Sequence, residues 1–200
     1  VYGAVQESRH VYVEAGLYYW MHKQPEPAAV LHILEVGFGT GLNALLTLQA
    51  TAEKQFAIHY HAIEPFPLHE QELSGLNYCA ALRRPDLELP FRQMHRTAGS
   101  EPVPVSPRFT LYNHCTTVQE FRYPSLFGLV YYDAFAPGVQ PGLWTAAVFE
   151  NLFHRMSAGG ILVTYCCKGD VRRNLLSAGF AVEKIPGPAH KREMIRAVKA

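Results

Sequence analysis

The stretch VLHILEVGFGTGLNALLTL, residues 30–48, decides the reading of this 200-residue chain. Seven mostly apolar residues, Val30–Val36, run into three glycines spaced by single residues: Gly37, Gly39 and Gly41. A helical stripe of Leu42, Leu45, Leu46 and Leu48 follows. Strand, tight turn and helix in that order open a βαβ unit. Glycines let the backbone turn sharply and approach a ligand closely. Glu35 stands two residues before the first glycine. A second strand candidate, Phe56–Glu64, ends on an acid 23 residues after Gly41. A carboxylate there can accept hydrogen bonds from both hydroxyls of a ribose. The turn departs from the dinucleotide fingerprint GxGxxG, whose third glycine would stand where Leu42 does. A strand-to-helix turn that binds nothing is the bland alternative.

Outward from this turn, strand-like and helix-like stretches alternate. Arg108–Asn113, Phe127–Asp133, Ile161–Cys166, Phe180–Ile185 and Met194–Val198 read as further strands. Pro67–Leu82, Pro141–Ser157 and Asp170–Ala178 read as helices. The alternation predicts an α/β domain over residues 30–200, a seven-stranded, mostly parallel sheet with helices on both faces. Two stretches fall outside it. Residues 1–29 are rich in aromatics and read as a small hairpin or a cover over one edge. Residues 83–107 carry five prolines and read as an irregular insertion.

Composition bounds the function. The chain is 48% apolar and 18% charged, enough for a full core and too little charge for a disordered tail. Its net charge of +1 argues against a strongly basic nucleic-acid coat protein. The charge is uneven: residues 1–150 hold 9 Lys/Arg against 14 Asp/Glu, residues 151–200 hold 9 against 3. A basic face toward the C-terminus fits a polyanionic partner, or simply a solvated surface. No run reaches the roughly 20 apolar residues of a membrane span, and no leader is apparent. Val1 rather than Met opens the chain, as expected where further sequence precedes it. Cys79, Cys115, Cys166 and Cys167 show no metal or CxxC spacing, so the reading is a reduced, cytoplasmic protein. His59 and His61 share one strand face and could begin a metal site. With no third ligand in evidence, they read as packed strand residues and no metal is expected.

A second signal is Tyr131-Tyr132-Asp133-Ala134-Phe135-Ala136-Pro137 with Leu143-Trp144-Thr145. Asp133 ends the fourth predicted strand, facing the crevice of the glycine turn and Glu64. A carboxylate there can orient an incoming amine; capping the next turn is the alternative.

The glycine turn with its leading acid resembles the first motif of class I S-adenosylmethionine (SAM) methyltransferases. Taken with GFGTGLN at 37–43 and DAFAP at 133–137, the chain resembles the methyltransferase domain of the MnmC family, which builds 5-methylaminomethyl-2-thiouridine at the tRNA wobble position. Gln6–Tyr12, Glu64–Leu68, His95-Arg96, Val171–Arg173 and Lys191–Met194 extend the likeness over most of the chain. The resemblance implies a Rossmann-like fold whose last strand runs antiparallel. It implies that Glu35, Gly37, Phe38, Gly39, Gly41, Asn43 and Glu64 hold SAM, with Asn113 near the adenine in place of the usual acid. It implies that Asp133 positions the aminomethyl nitrogen, and that Glu7, Arg9, Phe135, Pro137, Lys191 and Arg192 meet the substrate. Transfer from a sulfonium to a neutral amine asks mainly for proximity and orientation. The partner implied is tRNA, its phosphates meeting Lys168, Arg172, Arg173, Lys191 and Arg192. A separate FAD-dependent oxidoreductase would supply the amine, since no room for that half is seen here. Two rivals stand beside this reading: aminopropyl transfer of the spermidine-synthase kind, and a non-catalytic SAM- or RNA-binding module.

Overall fold

A computed structural model describes residues 2–24, 29–96, 101–188 and 191–200. The apolar run Val30–Val36 forms β1, and Ala57–Ile63 forms β2 beside it, parallel and in register along their whole length. Phe109–His114 (β4) pairs parallel with β2, and Phe127–Tyr132 (β5) pairs parallel with β1. Met156–Thr164 (β6) continues the parallel set. With β3 at Val103–Ser106, β7 at Ala181–Pro186 and β8 at Glu193–Val198, the strand order is β3-β4-β2-β1-β5-β6-β8-β7. Chain direction across the sheet therefore reverses its order at β1, and a crevice opens at the carboxyl ends of β1, β2 and β5.

Among the described residues the sheet has eight strands, not seven. The additional one is β3, Val103–Ser106, inside the stretch expected to be an irregular insertion. It pairs antiparallel with β4 alone, so it is an edge strand, where Pro104 costs no ladder bond that a second neighbour would need. Part of that stretch is helical too, at Glu88–Met94 (α6); residues 97–100 lie outside the described residues. The expected helix over 67–82 breaks into two short ones, Glu70–Leu73 (α4) and Tyr78–Ala81 (α5), around Gly75 and Asn77. The stretch 141–157 divides into a 3-10 turn, Pro141–Trp144, and α7, Ala146–His154, whose first turn is capped by the Thr145 hydroxyl. Glu193–Val198 (β8) runs antiparallel between β6 and β7, Ala181–Pro186, as the resemblance implied.

The N-terminal segment is not a hairpin, and it does not sit on an edge. Tyr2–Ser8 (α1), a π-helical stretch Arg9–Tyr18 and Tyr19–Lys23 (α2) form one helical rod across a face of the sheet; residues 25–28 lie outside the described residues. Its buried pairs Val11/Gly16 and Tyr12/Leu17 recur at i, i+5, the hydrogen-bonding period of a π-helix. The same buried set also holds Val13, Gly16, Leu17 and Trp20 at i, i+3, i+4 and i+7, the α-helical stripe, so burial alone marks a helix without setting its pitch. Gly16 lets the rod touch the sheet: a Cβ there would lie 3.0 Å from Val163 Cγ2 and 3.2 Å from Tyr131 Cε1. The Arg196 guanidinium of β8 stacks 3.4 Å above the Tyr19 ring, and His10 Nε2 meets the Pro186 carbonyl at 2.9 Å.

The opposite face carries a stack of imidazoles. His59 and His61 do share a face, and His32 of β1 and His114 of β4 join them. His61 lies 4.4 Å, ring to ring, from Tyr112 and its Nδ1 is 3.1 Å from His114 Nε2. His61 is fully buried, and burial first, then His114, His32 and His59, lower its pKa to about 2. The unfolded chain then holds the extra proton from about pH 6.5 downward, so stability falls as the pH drops below that value. The melting temperature is expected to decline from about pH 7 to pH 5. His61→Phe keeps a flat ring in the stack and should reduce that slope by close to one proton, about 1.4 kcal/mol per pH unit. Thermal melts across the range would contradict this if the variant kept the wild-type slope.

Candidate functional site

The crevice at the carboxyl ends of the parallel strands is a cavity of about 590 Å³. That is within the usual size of a small-molecule site. Its floor is the turn between β1 and α3, Leu42–Thr51. Gly37 and Gly41 have φ of +92° and +74°, in the left-handed region. A Cβ on Gly37 would fall 2.6 Å from the Asp133 carbonyl oxygen, so only glycine lets β1 exit this close to the end of β5. At Gly39, also left-handed at φ +50°, a Cβ would meet nothing within 4 Å. The turn thus presents bare backbone to the cavity.

Glu64 follows β2 directly. Its two oxygens accept from the backbone amides of Gly39 and Phe66, each at 3.1 Å. The glycine turn and the acid therefore brace one another and line the cavity together. Asp133 lies across the floor, where β5 ends, its amide bonded to the Val36 carbonyl at 3.0 Å. Asn43, on the first turn of α3, donates from Nδ2 to Asp133 Oδ2 at 2.8 Å and to Glu35 Oε1 at 2.8 Å. Glu35 is fully buried, and its other oxygen accepts from Tyr60 at 2.8 Å. The acid before the glycines thus stands behind the cavity rather than in it. Burial, and then the Asp133 charge, hold the Glu35 carboxyl well above the ordinary range. Burial also raises Asp133, against the opposing pull of Tyr12, Asn43 and Lys191.

The rim is built by pinning backbone. Trp144 Nε1 donates to the Phe135 carbonyl and the Tyr165 hydroxyl to the Ala134 carbonyl, both at 2.8 Å. Held this way, the Phe135 ring stands 68% exposed at the mouth. Phe66 stands 81% exposed on the Glu64 side. Glu7 of α1 and Lys191 form an ion pair that joins the rod to the turn before β8, with the Lys191 ammonium 4.7 Å from the Tyr165 ring centre.

Of the residues singled out in the sequence, Glu7, Gly37, Phe38, Gly39, Asn43, Glu64, Asp133, Phe135 and Lys191 meet around this cavity. Gly41 caps α3 behind the turn. Asn113 faces a smaller neighbouring cavity shared with Phe38 and Glu64, and its amide donates to the Met94 carbonyl at 3.0 Å. Arg9, Pro137 and Arg192 do not line the main cavity. Two contributors escaped the sequence reading. Tyr12, buried in the rod, brings its hydroxyl close enough to Asp133 to act on that carboxyl, without a hydrogen bond to it. Tyr165 lines the cavity just after β6. Tyr12 lies within the quoted Gln6–Tyr12 stretch, but nothing in its neighbours foretells a π-helix.

The donor set suits a cationic nucleoside. The cavity offers bare glycine backbone, a braced carboxylate for a diol and a carboxylate on its floor, and the buried Asn43 Oδ1 has no hydrogen-bond partner.

Comparison with known proteins agrees with the fold. Residues 111–200 match a family of S-adenosyl-L-methionine-dependent methyltransferases. The chain is 30% identical, over 96% of its length, to the tRNA 5-methylaminomethyl-2-thiouridine biosynthesis bifunctional protein MnmC of Ectopseudomonas mendocina, covering 30% of that protein. It is 31% identical over 96% of its length to the protein of the same name from Nitrosospira multiformis, covering 32% of it. The chain therefore spans about a third of the length of these curated relatives. The crystal structure of MNMC2 from Aquifex aeolicus superposes with a TM-score of 0.71 at 24% identity, over 98% of this chain and 61% of that one.

Glu64→Ala removes the braced acid without opening the core. It is expected to weaken S-adenosylhomocysteine, measured by calorimetry, by roughly tenfold or more, as loss of a charge-assisted hydrogen bond does. Unchanged affinity would place the ribose elsewhere.

Proposed function

We propose that this chain is a SAM-dependent methyltransferase domain that N-methylates the aminomethyl group of 5-aminomethyl-(2-thio)uridine at the wobble position of tRNA, a reading supported by the family match over residues 111–200, the shared fold and the MnmC relatives. The observation that carries the reading is Asp133. It is a carboxylate fixed on the cavity floor by Asn43, directly across from the glycine turn, beneath an exposed aromatic rim.

In this reading Gly37, Gly39 and Glu64 hold the nucleoside of SAM, and Asn43 and Asp133 face its charged end. When bound, SAM supplies a methyl group already activated on sulfur. What the chain adds is position. Asp133 accepts a hydrogen bond from the substrate amine, orients its lone pair toward the donor, and takes up or relays the proton released. Phe135, pinned through its carbonyl, offers a flat face on which a splayed uracil stacks. Glu7 and Lys191 close the rim beside it.

The basic residues toward the C-terminus support the tRNA reading. Lys168, Arg172, Arg173 and Arg192 are exposed, and Arg172, Arg173 and Lys184 line a groove beside α8, Gly169–Ser177, at the crevice end of the sheet. Such a stripe suits the phosphates of a large anion and not a polyamine, so aminopropyl transfer gains no support from it. An FAD-dependent oxidoreductase, fused or separate, would supply the amine. Among the described residues no helix is long and apolar enough to cross a membrane, and the cytoplasm, where tRNA is, is the expected compartment.

The test is transfer of labelled methyl from SAM to tRNA drawn from cells lacking this modification, followed by nucleoside chromatography. Label is expected in a methylaminomethyl-uridine peak. Asp133→Ala should abolish it while S-adenosylhomocysteine affinity stays within about threefold, since that ligand lacks the sulfonium charge Asp133 faces and the other lost contact belongs to the acceptor. Absence of label from tRNA, with cofactor binding intact, would overturn the substrate assignment.

A further inference from the structure

Glu35 and Asp133 present an unusual arrangement: two acids on one amide nitrogen, each 2.8 Å from Asn43 Nδ2. We propose that Glu35 is carried as the neutral acid and acts, through Asn43, as the positioning residue that keeps Asp133 fixed and keeps the negative charge of the pair on it. The catalytic part of this inference rests on the methyl-transfer reading above; the protonation part does not.

The groups around Glu35 decide where the proton sits. From β2 it meets the Tyr60 hydroxyl, and from α3 the Asn43 amide. Tyr131 of β5, Tyr12 of the rod, Asp133 and, farther off, Glu64 complete the titratable surroundings. None of these is a cation, and Glu35 has no exposed surface. Asp133 differs on both counts. It lines the cavity, and of the Glu7–Lys191 pair beside it the ammonium favours its ionised form while Glu7 opposes it. Two buried anions on one amide repel strongly, so one of the pair takes a proton, and the acid without water or cation is the one that does. Burial and then the Asp133 charge raise the Glu35 carboxyl and outweigh the Asn43 and Tyr60 hydrogen bonds, which lower it.

The consequence is mechanical. Asn43 spends both hydrogens of its amide on the two carboxyls, so its orientation is set by Glu35 as much as by Asp133. Turned over, it would bring Oδ1 against them instead. A neutral Glu35 anchors that amide without adding a second charge that would draw the proton onto Asp133. As the neutral acid, Glu35 keeps its carbonyl on Asn43 and turns its hydroxyl toward Tyr60, whose own hydroxyl rotates to accept instead of donate across the same 2.8 Å; glutamine presents the same carbonyl and an N–H in place of that O–H.

Two measurements test this. The first is thermal stability of wild type and Glu35→Gln from about pH 5 to pH 8, read without any substrate. Native Glu35 keeps a proton that the unfolded chain loses above about pH 4.3, so wild-type stability falls with rising pH relative to the variant. The advantage of Glu35→Gln is expected to widen, up to about tenfold in the folding constant per pH unit. Parallel curves would show Glu35 ionised in the native state and overturn the proposal. The second compares kcat for tRNA methylation in Glu35→Leu and Glu35→Gln. Leu is expected to lower kcat roughly tenfold or more with S-adenosylhomocysteine affinity and the KM for tRNA little changed, and Gln to recover most of that loss with the acidic limb of the pH profile unmoved. Equal loss in both variants, or an acidic limb displaced in Glu35→Gln, would overturn it. If tRNA is not methylated at all, the stability comparison still decides the protonation state, so the two failures are distinct.

Discussion

The Asn43 amide, set between two carboxyls, is the contact on which the rest of the site depends. It ties the first turn of α3 to the interior of β1 through Glu35 and to the end of β5 through Asp133. Those are the elements on either side of the point where the strand order reverses, where an α/β sheet has its crevice. A buried acid left without a partner would cost several kcal/mol, so each member of the chain Tyr60–Glu35–Asn43–Asp133 holds its neighbours in place. The glycine turn depends on the same geometry from outside. Gly37 passes so near the Asp133 carbonyl that any side chain would separate the two strands' ends.

The N-terminal rod shows how a segment outside the central sheet completes the site. Gly16 brings its backbone against β5 and β6, and Arg196 stacks on Tyr19. Docked there, the rod delivers Tyr12 to the underside of Asp133 and Glu7 to the rim. Long π-helical runs are uncommon, because the wide turn packs its own backbone poorly. Here the sheet face supplies the packing, burying Val11, Tyr12, Val13 and Leu17.

Much of this was legible in the sequence, and for physical reasons. The alternation around residues 30–64 reports strands buried on both faces, and three glycines in five residues report a turn that no other residue type permits. Glu64 and Asp133 stand out because each ends a strand-like run, which places it at a strand's carboxyl end. What stayed hidden depends on contacts between distant segments. Glu35 read as a cofactor ligand because its position beside the turn is visible, whereas its direction into the core beside Tyr60 is not. Pro104 read as a breaker because an edge strand cannot be told from a loop without its neighbours. The rod reads as a hairpin or cover because its aromatics crowd both outside and inside the buried stripe of Val13, Gly16, Leu17 and Trp20, and only docking on the sheet separates the two sets. The stretch 67–82 read as one helix because Gly75 and Asn77 act only when no packing partner opposes a break.

The central claim is that the glycine turn, Glu64 and Asp133 form a single site with the methyl donor between them. A crystal structure of the chain with S-adenosylhomocysteine tests it most directly. The account predicts the ribose hydroxyls on Glu64, the nucleoside against the bare backbone of Gly37–Gly39, and the sulfur directed at the space above Asp133 and under Phe135. A ligand bound with its ribose away from Glu64, or with its sulfur turned from Asp133, would contradict it.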